Sequence, residues 1–153
     1  MASLTDYSRN KFLDVWRGQV LTPPGNWYVG LFIVVPTDAG GGTEPTGGGY
    51  ARVPLAANRA AWNATQGGAG SVSSGTSGLV SNVAVIQFAT CTVEWGDLAG
   101  AGLFDASIGG NLWMFDEFRD SQGNPNPFFV TVGMRPVFDQ QEFSFSFPTH
   151  DPQ

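Results

Sequence analysis

Positive charge is scarce in this 153-residue chain: seven Lys and Arg stand against thirteen Asp and Glu, for a net charge of −6. Without a basic stripe there is nothing to neutralise a phosphate backbone, so nucleic acid is excluded as a partner. The acidic balance also argues against an anionic membrane surface. Cysteine occurs once, as Cys91, which rules out an internal disulfide and any Cys-based zinc site. It sits in an apolar alternating run and reads as a buried small hydrophobe rather than a reactive thiol. Histidine also occurs once, as His150 in the terminal "PTHDPQ". A triad base must be held in place by a third group, and a terminal His beside Asp151 is poorly placed for that. No run reaches the roughly 18 apolar residues of a membrane span. "MASLTDYSRNKFLDVW" lacks the basic flank and apolar block of a secretion signal, so synthesis and first folding in a cytoplasm are expected.

What the chain has in abundance is glycine and aromatics: 21 Gly, 10 Pro, five Trp, three Tyr and twelve Phe. The length suits one domain, 1–153, able to bury about two thirds of its surface. Residues 3–17 read as a helix, with Ser3 as cap, Asp6 three residues on, Phe12, Val15 and Trp16 on one face, and Gly18 as the stop. After the "TPPGN" turn, "WYVGLFIVV" (27–35) reads as a central strand buried on both faces. "VAVIQFATCTVEW" (83–95) alternates, as one strand or as two broken near Ala89. "AGAGLFDASIGGNLWMFDEF" (99–118) is strand, turn, strand, with Asp105 opening the turn and Gly109-Gly110 closing it. "FFVTVGM" (128–134) and "EFSFSF" (142–147) are further strands, the last with every Phe on one side. Gly-rich loops are expected at 36–49 and 56–82, the second anchored by Trp62 and Leu79. The whole predicts a mainly β fold: an antiparallel β-sandwich or barrel-like domain over 27–147 with one short N-terminal helix.

No catalytic motif stands out. The glycines of "PTDAGGGTEPTGGGYAR" (36–52) run into strand-like residues and carry no Lys-Ser/Thr, so they cannot form a P-loop. They lack the following helix of a dinucleotide fingerprint as well. No cofactor or metal is expected: "DSQGN" (120–124) only echoes a calcium loop. Asn63-Ala64-Thr65 matches the glycosylation pattern without a secretion signal. The carboxylates Asp105, Asp116, Glu117, Asp120, Asp139 and Glu142 sit in turns and read as turn chemistry; a catalytic pair would have to flank a cleft. The aromatic excess points to a partner surface, with Trp27, Trp62, Trp95 and Trp113 as candidates, or else to a dense Phe-rich core.

Two stretches carry a family likeness. "LFIVVPTDAGGGTEPTGGGYARVPL" (31–55) resembles a block of small tailed-phage virion proteins in which an "LF" strand leads to "P-T-D-A-G" and then "G-G-Y-A-R". "FATCTVEWGDLAGAGLFDASIGGNLWM" (88–114) resembles their second block, a "W-G" strand leading to "G-L/I-F/Y-D-A" and "G-G-N-L". The likeness covers most of residues 1–114 and the Phe-rich end, and departs at "FDEFRDSQGNPNPFFVTVGMRPVF". Such proteins are labelled tail fibre or minor structural proteins, and some resemble capsid decoration (cement) proteins. The resemblance implies a non-enzymatic virion component made in a bacterial host. The leading expectation is a capsid decoration protein on the head surface, a homotrimer that binds the major capsid protein and stabilises the shell by linkage. A tail-fibre or tail-tip module, with glycan binding as its variant, is the alternative. A small glycan-active enzyme using paired carboxylates is the remote one.

Overall fold

The computed structural model describes residues 3–65 and 68–147; His150 and Asp151 lie outside them. The elements run β1 (Ser3–Leu4), α1 (Asp6–Trp16), β2 (Asn26–Phe32), β3 (Val53–Ala56), β4 (Trp62–Ala64), β5 (Gly68–Ala69), β6 (Leu79–Asn82) and β7 (Ile86–Gln87). They continue as β8 (Gly96–Leu98), β9 (Gly100–Phe104), β10 (Leu112–Glu117), β11 (Phe128–Val130), β12 (Val137–Phe138) and β13 (Ser144–Ser146). The fold is mainly β, with antiparallel sheets and one short helix, as the alternation and turn signals predict.

The main sheet has five strands in the order β1-β10-β9-β2-β3. Its central strands carry apolar side chains on both faces, as expected for 27–35, and Val29, Leu31 and Phe32 are all buried. The strand itself ends at Phe32, three residues short of the predicted limit, and Val34 makes only an isolated bridge to Thr43. On one face Val29, Leu31, Leu55, Ala101 and Leu103 join Ile86, Phe88, Leu98 and Val130 in the principal core. On the other face Phe32, Phe104 and Phe115 form a smaller cluster. The register explains the glycines within these strands. Gly30 pairs with Gly102, and a Cβ on either would lie 2.8 Å from the ring of Phe104 or Phe32 respectively. Two large rings therefore fit over the sheet because their neighbours have no side chains.

A second sheet, β13-β6-β4-β5, holds four strands, and the pairs β11-β8 and β12-β7 complete the structure. Most of the second sheet was expected to be loop. Trp62 pairs with Asn82 and Asn63 with Ser81, so a Gly/Ser-rich stretch of weak strand propensity is held in a ladder by its neighbours. Phe143 and Phe145 pack against Trp62 at 6.4 and 5.5 Å.

Conversely, the well-alternating 83–95 forms a ladder only at Ile86–Gln87. Its later amides go to separate acceptors: Phe88 to Pro136 O, Cys91 to Met134 O, Thr92 to Gly48 O and Trp95 to Val130 O. Those unequal steps cannot make a regular strand. Cys91 is buried, as expected.

The helix is shorter than 3–17 and is capped by Thr5, not Ser3. Ser3 pairs with Phe115 as part of β1, which leaves the next polar residue to cap. Thr5 Oγ1 accepts from Ser8 N (3.3 Å) and donates to Leu112 O (2.6 Å). The helix turns Ser8, Tyr7 and Phe12 inward, while Val15 and Trp16, predicted to share the core face with Phe12, point outward.

Candidate functional site

The Gly-rich loop 36–49 is tied down at its far end by the residues that follow it. Tyr50 Oη accepts from Leu31 N (2.9 Å) and donates to Glu44 Oε1 (2.6 Å). Burial, then this bond to Glu44, pushes the Tyr50 hydroxyl pKa far above its ordinary value. Two residues on, Arg52 grips the same carboxylate through Nε (3.0 and 3.1 Å) and Nη2 (2.6 Å). Its other terminal nitrogen donates to Ala106 O (2.8 Å) and Gly109 O (2.7 Å). The guanidinium also lies 3.3 Å over the Phe104 ring. Arg52 thus joins the "G-G-Y-A-R" block to the turn that follows "G-L-F-D-A".

Asp105 organises that turn. Its Oδ1 accepts from Asn111 N (2.7 Å), and its Oδ2 from Asn111 Nδ2 (2.8 Å) and Trp113 Nε1 (3.2 Å). Burial acts to raise its pKa but is outweighed by the Asn111 and Trp113 hydrogen bonds, which hold the carboxyl below the usual value. The "W-G" residue completes the junction, as Trp95 Nε1 donates to Gly48 O (3.1 Å). The two sequence blocks therefore form one clasp, with Glu44 and Arg52 at its centre.

Chemically this clasp is a saturated ion pair. Arg52 and Glu44 side chains are only 8% and 23% exposed, and both carboxylate oxygens are engaged. Three of the other turn carboxylates also have local partners. Asp120 accepts from Gln122 and Asn124 amides, Glu142 caps Asp139 N, and Glu117 pairs with Arg119. Among the described residues, no group of three or more His, Cys, Asp or Glu could hold a metal ion.

The four tryptophans proposed for a partner surface do not share one. Trp113 is 6% exposed and meets Tyr7, Phe12 and Trp27 edge-on. Trp95 is 5% exposed beneath the loop. Both are core residues, and each indole N–H finds an acceptor, Asp105 Oδ2 for Trp113 and Gly48 O for Trp95. Trp27 is half-buried beside Trp113, and Trp62 is half-buried in the second sheet. The exposed tryptophan is the fifth, Trp16, at 89%. With Leu13, Val15, Val20 and Phe147 it forms an apolar concavity along the end of α1. The adjacent apolar pairs Phe12-Leu13 and Val15-Trp16, spread over more than one face of the helix, were the available signal for it.

Both blocks fall inside the stretch matched by a family model of tailed-phage virion structural proteins. The chain belongs to the family of the Podophage GP4 fiber I protein gp80, whose model matches residues 3–126. A search of curated proteins found no match. No helix among the described residues is long and apolar enough to cross a membrane.

Proposed function

We propose that the protein is a fibre subunit of the phage tail and that it self-associates, as a homotrimer, through the face around Trp16. The family match favours the fibre over the capsid-decoration reading, because the matched model is that of a fibre protein. The observation that carries self-association is the exposure of Trp16 (89%) and Val20 (90%) beside Leu13, Val15 and Phe147. Together these side chains present on the order of 500 Å² of apolar surface, near the top of what a monomer leaves uncovered. That is a large part of the ~800 Å² per partner of a standard interface.

The charge around the face fits a second copy of an acidic chain. Arg9, the one charged residue lining it, is already paired with Asp6 and Asp38, and Arg17 with Asp14. Little net charge is therefore brought together when two such faces meet. A non-catalytic role is supported by the engagement of Asp105, Glu117, Asp120 and Glu142 in local hydrogen bonds and ion pairs.

Two measurements test this reading. Light scattering on the purified chain is expected to give three times the 16.2 kDa of one chain. Trp16→Ser should shift it to monomer that keeps the circular dichroism of the folded chain, with a lower melting temperature that no longer depends on concentration. A monomeric wild type would remove the self-association. Copy number per virion, by quantitative mass spectrometry against the major capsid protein, separates the two locations. A few copies to a few tens are expected for a fibre. Parity with the capsid subunit would instead make it a shell-stabilising decoration protein with the major capsid protein as its partner.

A further inference from the structure

The second sheet carries a cleft of about 640 Å³, within the size range of small-ligand sites, lined by Asn58, Arg59, Trp62, Asn63, Ser73 and Val80 among others. Its indole is a fixed wall: Trp62 Nε1 donates to Ala56 O (3.1 Å), and Phe143 and Phe145 brace the ring. Among the described residues the rest of the lining mixes the polar groups of Asn58, Asn63 and Ser73 with aliphatic Ala57, Ala64, Val72 and Val80, and includes no carboxylate.

The arginine at this cleft is unlike the other five. Arg9, Arg17, Arg52 and Arg119 hold carboxylates, and Arg135 donates to Phe88 O (2.9 Å). Arg59 alone has no side-chain hydrogen bond or ion pair among the described residues, and it is exposed at the edge of the cleft. A chain with nearly twice as many acids as bases has here left one guanidinium open beside a rigid aromatic ring.

We propose that this cleft binds an acidic saccharide. The apolar face of a pyranose packs on Trp62, its carboxylate pairs with Arg59, and its hydroxyls meet the Asn and Ser groups. A planar indole offers the flat apolar wall a sugar ring needs, and a guanidinium matches a carboxylate with two parallel hydrogen bonds. The absence of a lining carboxylate removes both repulsion of the acid and the paired acids of glycoside hydrolysis, so the ligand is held and not cleaved. The site does not depend on where in the virion the protein sits.

Calorimetric titration of the full chain tests the proposal, with trigalacturonate, triglucuronate and sialyllactose as acidic probes. Maltotriose and inorganic phosphate serve as neutral and plain-anion controls. Saturable binding of at least one acidic probe is expected, with maltotriose at least about tenfold weaker. Arg59→Gln should weaken the acidic probe roughly tenfold, the usual loss for a charge-assisted hydrogen bond, and leave the melting temperature unchanged. Trp62→Phe should weaken it as well, with melting measured alongside to separate loss of stacking from loss of fold. Equal binding of maltotriose, equal binding of phosphate, no effect of Arg59→Gln, or no binding of any acidic probe at millimolar concentration would each overturn it.

Discussion

Replacing Glu44 with alanine should destabilise the protein by about 3 kcal/mol, at the lower end of what breaking a buried pair costs. For a chain of this size that is a fall in melting temperature on the order of 10 °C. The change strands a guanidinium that is 8% exposed and removes the acceptor of the Tyr50 hydroxyl. The effect stays at the lower end for two reasons. Arg52 keeps the carbonyls of Ala106 and Gly109, and Glu44 is exposed enough (23%) for water to enter. Glu44→Gln should cost about half as much, since an amide oxygen still accepts from Arg52. Adding Arg52→Met to Glu44→Ala should cost less than the sum of the two single changes, because the stranded charge goes with the arginine. Thermal and urea unfolding of the four variants measure this. A Glu44→Ala variant that melts within about 2 °C of wild type would mean that the clasp closes the loop without stabilising the fold.

Gly48→Ala should be as damaging, while Gly41→Ala, in the same loop, should cost only about 1 kcal/mol. Both glycines have positive φ, +58° and +81°, so each alanine bears the backbone cost of the left-handed region. At Gly41 nothing lies within 4 Å of the new methyl group. At Gly48 the methyl would sit 2.2 Å from Val93 O and 2.8 Å from Trp95 Nε1. The loop would have to lift, breaking the bonds that Gly48 O accepts from Thr92 N and Trp95 Nε1. A loss of more than about 3 kcal/mol is expected, the scale of overpacking added to backbone strain. Urea unfolding of the two variants side by side is the measurement. Equal losses would show that conformational strain alone matters and that the loop does not seat against the 92–95 segment.

The same loop shows where sequence reasoning succeeds and where it stops. Its failure as a phosphate cradle follows from local pattern, since what comes next is Tyr50-Ala51-Arg52 and a strand. Its role as a clasp does not, because Glu44, Arg52 and the 106–109 turn are brought together only by the pairing of β2 with both β3 and β9. The Asp105 turn was legible because it is built from residues close in sequence. The second sheet was not, because most of its strands have the composition of loops and are made by neighbours as far apart as Leu79 and Ser146. For the tryptophans, apolar character alone does not say which ring is covered. Trp113 and Trp95 have acceptors within the fold, whereas Trp16, at the end of α1, points away from the sheet. The cleft around Trp62 and Arg59 had half a signal, an aromatic flagged as a candidate. The open guanidinium beside it became visible only once every other arginine had a partner.

The order of strands in the main sheet also bears on how the chain is born. The central strand β2 pairs on one side with β3, at 53–56, but on the other with β9, at 100–104, and β1 waits for β10, at 112–117. As the ribosome releases the first half, "WYVGLFIVV" has one neighbour and an open edge, and the Phe104 that crosses Gly30 does not yet exist. Pairings this distant in sequence close slowly, and an unpaired apolar edge invites other nascent chains to add to it. The main sheet is thus completed only once β9 and β10 have emerged, and the interval before then is when the growing chain is most exposed to aggregation and to host proteases.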